Sequence, residues 1–296
     1  MASPRPWPFD DDNRPSGSVR PLSHADLQAI LAHLNDDTDQ LLAATGAGRP
    51  VMAGRVRASV GQPGGSAHAQ WRRLRAAEWA AWTRTLPWRA AATLAIAVGG
   101  GVLGRLLVPR LGLVVGVLAA IAVGWGLRLR PSPDAVAWRR GAAGERRTAR
   151  LLSPLERQGW AVLHDLAVPG SRANLDHLVI GPGGVFVVDS KQYRGHLQFD
   201  PAGRLWHGRY PLTLTLRAVE FEADRAAKVL ADPQVVVPIV AVHGAQVPWG
   251  KVVTQGVPVV SARRLPSMNR TLPAVLGPER VAALAHQARI RFPAAA

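Results

Sequence analysis

Asn174-Leu175-Asp176-His177-Leu178-Val179-Ile180, then Gly181-Pro182-Gly183-Gly184, then Val185-Phe186-Val187-Val188-Asp189-Ser190-Lys191 is the stretch whose reading decides the fold. Two apolar runs flank residues suited to tight backbone geometry, which is the pattern of a β-hairpin. Pairing Ile180 with Val185 across a four-residue loop puts Asp176 directly opposite Asp189. Directly opposed side chains lie about 5 Å apart, where like charges destabilise. Two carboxylates so placed within apolar strands need a compensating charge, and a divalent cation is the usual one. Lys191 lies two residues beyond Asp189 and therefore shares its strand face. Two acids and a lysine on one face form a set suited to metal and water chemistry.

The rest of the composition frames that hairpin. The chain has 296 residues and a net charge of +16, with only three lysines, Lys191, Lys228 and Lys251, against a large excess of arginine. Each lysine is therefore informative, since arginine is the default cation here. The charge points to anionic partners, nucleic acid or a phospholipid bilayer, with an unpartnered basic surface as the plain alternative. Absence of cysteine excludes disulfides and thiolate metal sites.

Upstream, Met1 to Arg20 has no signal-peptide pattern and reads as a disordered leader. Leu22 to Thr45 reads as an amphipathic packing or oligomerisation helix, and Gly46 to Ala69 as a linker. A basic segment, Trp71 to Arg89, carries Trp71, Trp79, Trp82 and Trp88. It leads into the 38 residues Ala90 to Leu127, apolar except for Arg105 and Arg110. A single helix of that length would run about 57 Å, against a bilayer core of about 30 Å. The expectation is a two-helix transmembrane hairpin, 90–108 and 111–127, with GxxxG spacings at Gly100/Gly104 and Gly112/Gly116. A buried hairpin of a soluble domain is the alternative. Arginines flank both ends, which places both termini in the cytoplasm. The organisation is then 1–70 leader, helix and linker, 71–130 juxtamembrane helix and hairpin, and 135–293 a folded domain.

That last domain reads as α/β, a mixed central sheet flanked by helices. The expected elements are a helix over Ala135 to Gln158, a strand over Trp160 to Val168, the hairpin, and a strand near His196 to Phe199. A helix over Thr215 to Ala231, strands over Val235 to Val242 and within Lys251 to Ser261, and a helix over Pro278 to Ile290 follow. Tyr193-Arg194-Gly195 reads as a turn, with Arg194 available to a phosphate. Gly141-Ala142-Ala143-Gly144 would let the first helix approach the sheet and bring Glu145 to the site, although Glu145 taken alone reads better as an ordinary solvated glutamate. His177 points away from Asp176 and reads as packed or exposed rather than as a ligand.

Gly144-Glu145, Asn174-Leu175-Asp176-His177, Gly183 to Lys191 and Tyr193-Arg194-Gly195, in that order, resemble the nuclease-related domain (NERD) of the PD-(D/E)xK nuclease superfamily. The resemblance covers about Trp138 to Leu230 and implies a restriction-endonuclease-like core. It implies that Asp176 and Asp189 hold Mg²⁺ or Mn²⁺, with the Ser190 carbonyl as a further ligand and Glu145 supporting the metal or its water. Lys191 would orient or deprotonate the attacking water, with a depressed pKa suited to a base. Gln192 and Arg194 would touch nucleic acid. Ser190 and Gln192 replace the family's usual Thr and Asn. The implied activity is a membrane-anchored, metal-dependent nuclease acting on DNA or RNA at the cytoplasmic face. The alternative is a catalytically silent module that binds nucleic acid or a partner. An unrelated membrane-associated protein would instead leave Asp176 and Asp189 exposed and apart.

Overall fold

In a computed structural model, residues 60–107, 110, 112–231, 236–267 and 272–295 are described. The leader and the helix expected over Leu22 to Thr45 lie outside them. The elements run α1 (Gly65–Arg84), α2 (Leu86–Leu107), α3 (Gly112–Gly126), α4 (Pro133–Glu156), β1 (Ala161–Ala167), β2 (Asn174–Gly181) and β3 (Gly184–Phe199). They continue with β4 (Leu205–His207), β5 (Tyr210–Pro211), α5 (Thr213–Leu230), β6 (Val236–Gln246), β7 (Lys251–Thr254), β8 (Val257–Ser261) and α6 (Pro278–Arg291).

The hairpin pairs Ile180 with Val185 and His177 with Val188, the register read from the sequence. Its turn is tighter than expected. Gly181 pairs with Gly184, so the loop proper is only Pro182-Gly183. Gly184 has φ +124°, a conformation open to glycine. Gly181 is needed for space, because a Cβ there would lie 2.0 Å from ring atoms of Trp160. Trp160 is itself buried and tilted against Phe186. Gly181→Ala is therefore expected to lower stability by about 1–3 kcal/mol or more, read as a reduced denaturation midpoint in urea.

The sheet order is β1-β2-β3-β6-β8-β7. The β1, β2 and β3 pairs are antiparallel, β3/β6 and β6/β8 are parallel, and β7/β8 is antiparallel. A parallel neighbour requires a crossover, and α5 supplies it between β3 and β6. One sheet face carries Leu178, Ile180, Val185, Val187, Val240 and Val242 beneath α5 and α6. The other carries Val179, Phe186, Val188 and Ile239 beneath α4. Strand alternation sorts the residues onto these faces.

Three expectations about the strands are corrected. His196 to Phe199 is not a separate strand but the end of the 16-residue β3. Tyr193-Arg194-Gly195 is not a turn between strands: β3 passes through it, and a register shift against β6 falls between Gln192 and Gly195. The strand expected within Lys251 to Ser261 is two, β7 and β8, joined at Gln255-Gly256, both with positive φ.

α4 starts where its chemistry dictates. Ser132 caps it, its hydroxyl accepting the Ala135 N–H at 3.1 Å, with Pro133 next and Asp134 in the first turn. Ala142 and Gly144 lie along a close-approach side. A Cβ on Gly144 would sit 3.6 Å from Gln192 Cβ, and one on Gly64 would sit 2.7 Å from the Ala142 carbonyl oxygen. Residues 60–66, part of the stretch expected as linker, therefore belong to the folded domain. Val60 packs against the core, and the Gly61 N–H bonds the His164 carbonyl at 3.1 Å.

α2 has 22 residues, 18 of them in a stretch of mean hydropathy 1.7, long and apolar enough to cross a bilayer, and its side chains are mostly exposed. α3 is apolar but has only 15 residues, about 22 Å against about 30 Å. Only one candidate span is thus present among the described residues, where two were expected. The two helices still pack antiparallel through small residues. A Cβ on Gly104 would lie 3.2 Å from Gly112 Cα, and one on Gly116 the same distance from Gly101 Cα.

Candidate active site

β1, β2 and β3 each carry an acid at the same level of the sheet. Continuing the registers on either side places Asp165 beside Asp176 and Asp176 beside Asp189, and each ladder lapses there. Asp165 adopts φ +49° and turns toward α1. It accepts the Ser66 N–H at 2.7 Å and the Ser66 hydroxyl at 2.5 Å. Asp176 substitutes its side chain for the missing ladder bond, its Oδ2 accepting the Ser190 N–H at 2.8 Å. Asp189 is 4% exposed. Its Oδ1 accepts from Lys191 Nζ at 2.7 Å, and its buried Oδ2 has no partner.

Glu145 reaches this group from α4 and is buried, not solvated. Burial, then the charges of Asp165 and Asp189, push its pKa from 4.5 up to about 7, partly offset by Lys191 and the Gly64 backbone. Burial, then Glu145 and Asp189, holds Asp176 well above the ordinary carboxylate range. Asp176 is half-buried. Such mutual repulsion is what a cation would relieve.

The protonation of Lys191 is set by the acids around it. Burial alone would lower its pKa, but the charges of Asp189 and Asp176 and the bond to Asp189 outweigh it, and the net shift is upward. With no cation among these acids, Lys191 is held as a positive charge.

Gln192 lies on the opposite sheet face and is already engaged. Its Oε1 accepts from Arg147 at 2.7 Å and its amide nitrogen donates to the His243 carbonyl at 3.4 Å. Arg194 is exposed, and its carbonyl accepts from His207 Nε2 at 2.8 Å.

That opposite face carries a buried polar chain. His164 Nδ1 lies 2.8 Å from His177 Nδ1, His177 Nε2 lies 3.2 Å from Ser190 Oγ, Ser190 donates to Thr148 at 2.8 Å, and Thr148 lies 2.8 Å from His243 Nε2. Burial pushes His164 down to about 4 and His177 well below the ordinary range. Both rings are thus neutral, which lets one nitrogen donate while its neighbour accepts. His177 is a packed residue that fixes Ser190, whose N–H in turn holds Asp176.

Glu222, on α5, was not singled out by the sequence reading. It is half-buried, and burial together with Asp189 holds its pKa well above the ordinary range. The signal was available: Leu216, Val219, Ala223, Ala226 and Leu230 form the buried stripe of α5, and Glu222 borders that stripe.

Hard carboxylate oxygens, one of them buried without a partner, fit Mg²⁺ or Mn²⁺. Among the described residues no group of three or more His, Cys, Asp or Glu side chains is placed to hold a metal ion.

Residues 140–243 match the family model of the nuclease-related domain, which belongs to the PD-(D/E)xK-like nuclease superfamily. The matched segment contains Glu145, Asp176, Asp189, Lys191 and Glu222. An uncharacterized protein of Bacillus anthracis is 37% identical over 70 residues, covering 23% of this chain and 33% of that protein. The chain thus aligns with about a third of that relative's length. No solved structure matches significantly.

Proposed function

We propose that this chain is a membrane-anchored, divalent-cation-dependent nuclease that hydrolyses phosphodiester bonds of DNA or RNA at the cytoplasmic face. The observation that carries this reading is the buried, unpartnered Asp189 Oδ2 beside Asp176, Glu145 and Lys191, within a segment similar to nuclease-related domains. Asp189 Oδ2 and the free oxygen of Asp176 would hold Mg²⁺ or Mn²⁺, with Glu145 beside them. A cation bound there supplies charge that polarises a phosphoryl oxygen and makes water easier to deprotonate. Lys191 Nζ offsets phosphate charge next to Asp189. Glu145, with its pKa near neutrality, can take up or release a proton at its carboxylate. Basic side chains such as Arg194 would meet the backbone phosphates of the substrate.

The anchor reading rests on α2 and on the exposed apolar side chains of α3, among them Leu113, Leu118 and Ile121. α3 would complete a re-entrant or thinned second crossing, with both ends on the cytoplasmic side. Membranes carrying the full chain should retain it through alkaline carbonate washing. Release by carbonate alone contradicts the anchor.

The purified full chain, incubated with plasmid and single-stranded nucleic acids, should cleave in Mg²⁺ or Mn²⁺ and not in EDTA. The unclosed acid cluster favours one other reading, a silent binding module. It would show retention of nucleic acid without cleavage in either condition.

A further inference from the structure

Glu222 has no stated task in the chemistry above, and its position gives it one. α5 runs back along β3, since it leads from the end of β3 to the start of its parallel neighbour β6. Its register is marked by the Thr215 hydroxyl, 3.5 Å from the Tyr193 hydroxyl. Seven residues further along the helix is about 10 Å. The same distance back along a strand is about three residues. That brings Glu222 level with Ser190 and Asp189. α5 covers the sheet face that carries Val187 and Val242, and strand alternation puts Asp189 and Lys191 on that same face. Glu222 therefore stands over Asp189, while Glu145 comes from α4 on the other side of the sheet. The independent sign of a missing ligand is Asp189 Oδ2, buried and without a partner. No hydrogen bond or ion pair to Glu222 occurs among the described residues. A half-buried acid facing another acid is costly unless something positive lies between them. Lys191 already spends its ammonium on Asp189 Oδ1.

We propose that Glu222 is a ligand of the divalent cation held at Asp189, completing from α5 a site that β2 and β3 begin. This rests on the cation-binding reading of Asp189.

Mn²⁺ binding to the purified full chain, followed by calorimetry together with thermal unfolding in EDTA and in Mn²⁺, tests it. Wild type should bind Mn²⁺ and melt higher with it. Glu222→Gln should weaken Mn²⁺ binding at least about tenfold. In EDTA the same variant should melt at or above the wild-type temperature, because it removes a like charge. Glu220→Gln, altering a neighbouring acid on α5, should bind as wild type does. Unchanged Mn²⁺ affinity in Glu222→Gln, with binding lost in Asp189→Asn, overturns the role of Glu222 and leaves the cation at Asp189 standing. No Mn²⁺ binding by wild type overturns both. A Glu222→Gln chain that melts lower in EDTA marks a structural role and also overturns the proposal.

Discussion

If the proposed activity holds, Lys191→Ala is expected to lower cation-dependent phosphodiester cleavage by about 10²–10³-fold, and Asp189→Ala to lower it at least as far while also weakening cation binding. The two losses have different origins. Asp189 Oδ2 is the one buried carboxylate oxygen of the cluster without a partner, so its removal deletes a ligand. Lys191 bonds Asp189 at 2.7 Å and is held cationic by the acids around it. In the proposed reaction its contribution would be a fixed positive charge beside the scissile phosphate. Lys191→Arg keeps that charge and should recover part of the rate lost in Lys191→Ala, despite its different shape. A base could not be replaced that way, because arginine does not release its proton. If Lys191→Arg is as inactive as Lys191→Ala while binding Mn²⁺ and nucleic acid normally, the charge-only role is wrong. Rates should be compared at saturating cation, so that lost affinity does not mimic lost chemistry.

The hairpin register was legible from its turn: two apolar runs joined by Gly181-Pro182-Gly183-Gly184 set Ile180 against Val185, although both faces of the hairpin are apolar. That register carried Asp176, Asp189 and Lys191 with it. The role of Tyr193-Arg194-Gly195 was not legible. Glycine and arginine suggest a turn, but a parallel neighbour, β6, takes up the backbone bonds on both sides of a register shift, and no local signal announces a partner more than forty residues away. The same holds for residues 60–66. Their Gly/Pro content suggests a linker, whereas Ser66 and Gly61 are tied to β1 across about a hundred residues of sequence. Glu145 could be placed only through its neighbours: a glutamate flanked by arginines looks solvated until α4 is known to press Gly144 toward the sheet. Lys191 was found, and the acids around it raise its pKa where a nearby cation would lower it. The sequence suggests such a cation beside the lysine. It does not show how many acids surround the lysine, and Glu222 arrives from a separate helix.

Glu145 makes the stability of the protein depend on pH in a direction opposite to that of an ordinary paired carboxylate. Below pH 4.5 it is protonated in both folded and unfolded chains and contributes nothing. Between 4.5 and about 7 the unfolded chain has released the proton while the folded one keeps it. The folded state then binds more protons, so stability falls as pH rises through this window and is lowest above it. The full effect corresponds to about 3 kcal/mol, and Asp176 and Glu222, both raised, add in the same sense. His164 and His177 act oppositely, since below pH 6.5 the unfolded chain takes up protons that the buried ring pair refuses. The prediction therefore lies in a difference. In EDTA, Glu145→Gln should gain stability over wild type as pH rises from 5 to 8, measured as denaturation midpoints at each pH. A divalent cation should reverse the trend for wild type, because it binds the ionised acids and its stabilisation grows as they lose their protons. A wild-type chain that outlasts Glu145→Gln by a growing margin as pH rises in EDTA would mean that Glu145 is ionised and well paired. The crowding of acids around Asp189 would then not be what holds this site ready for a cation.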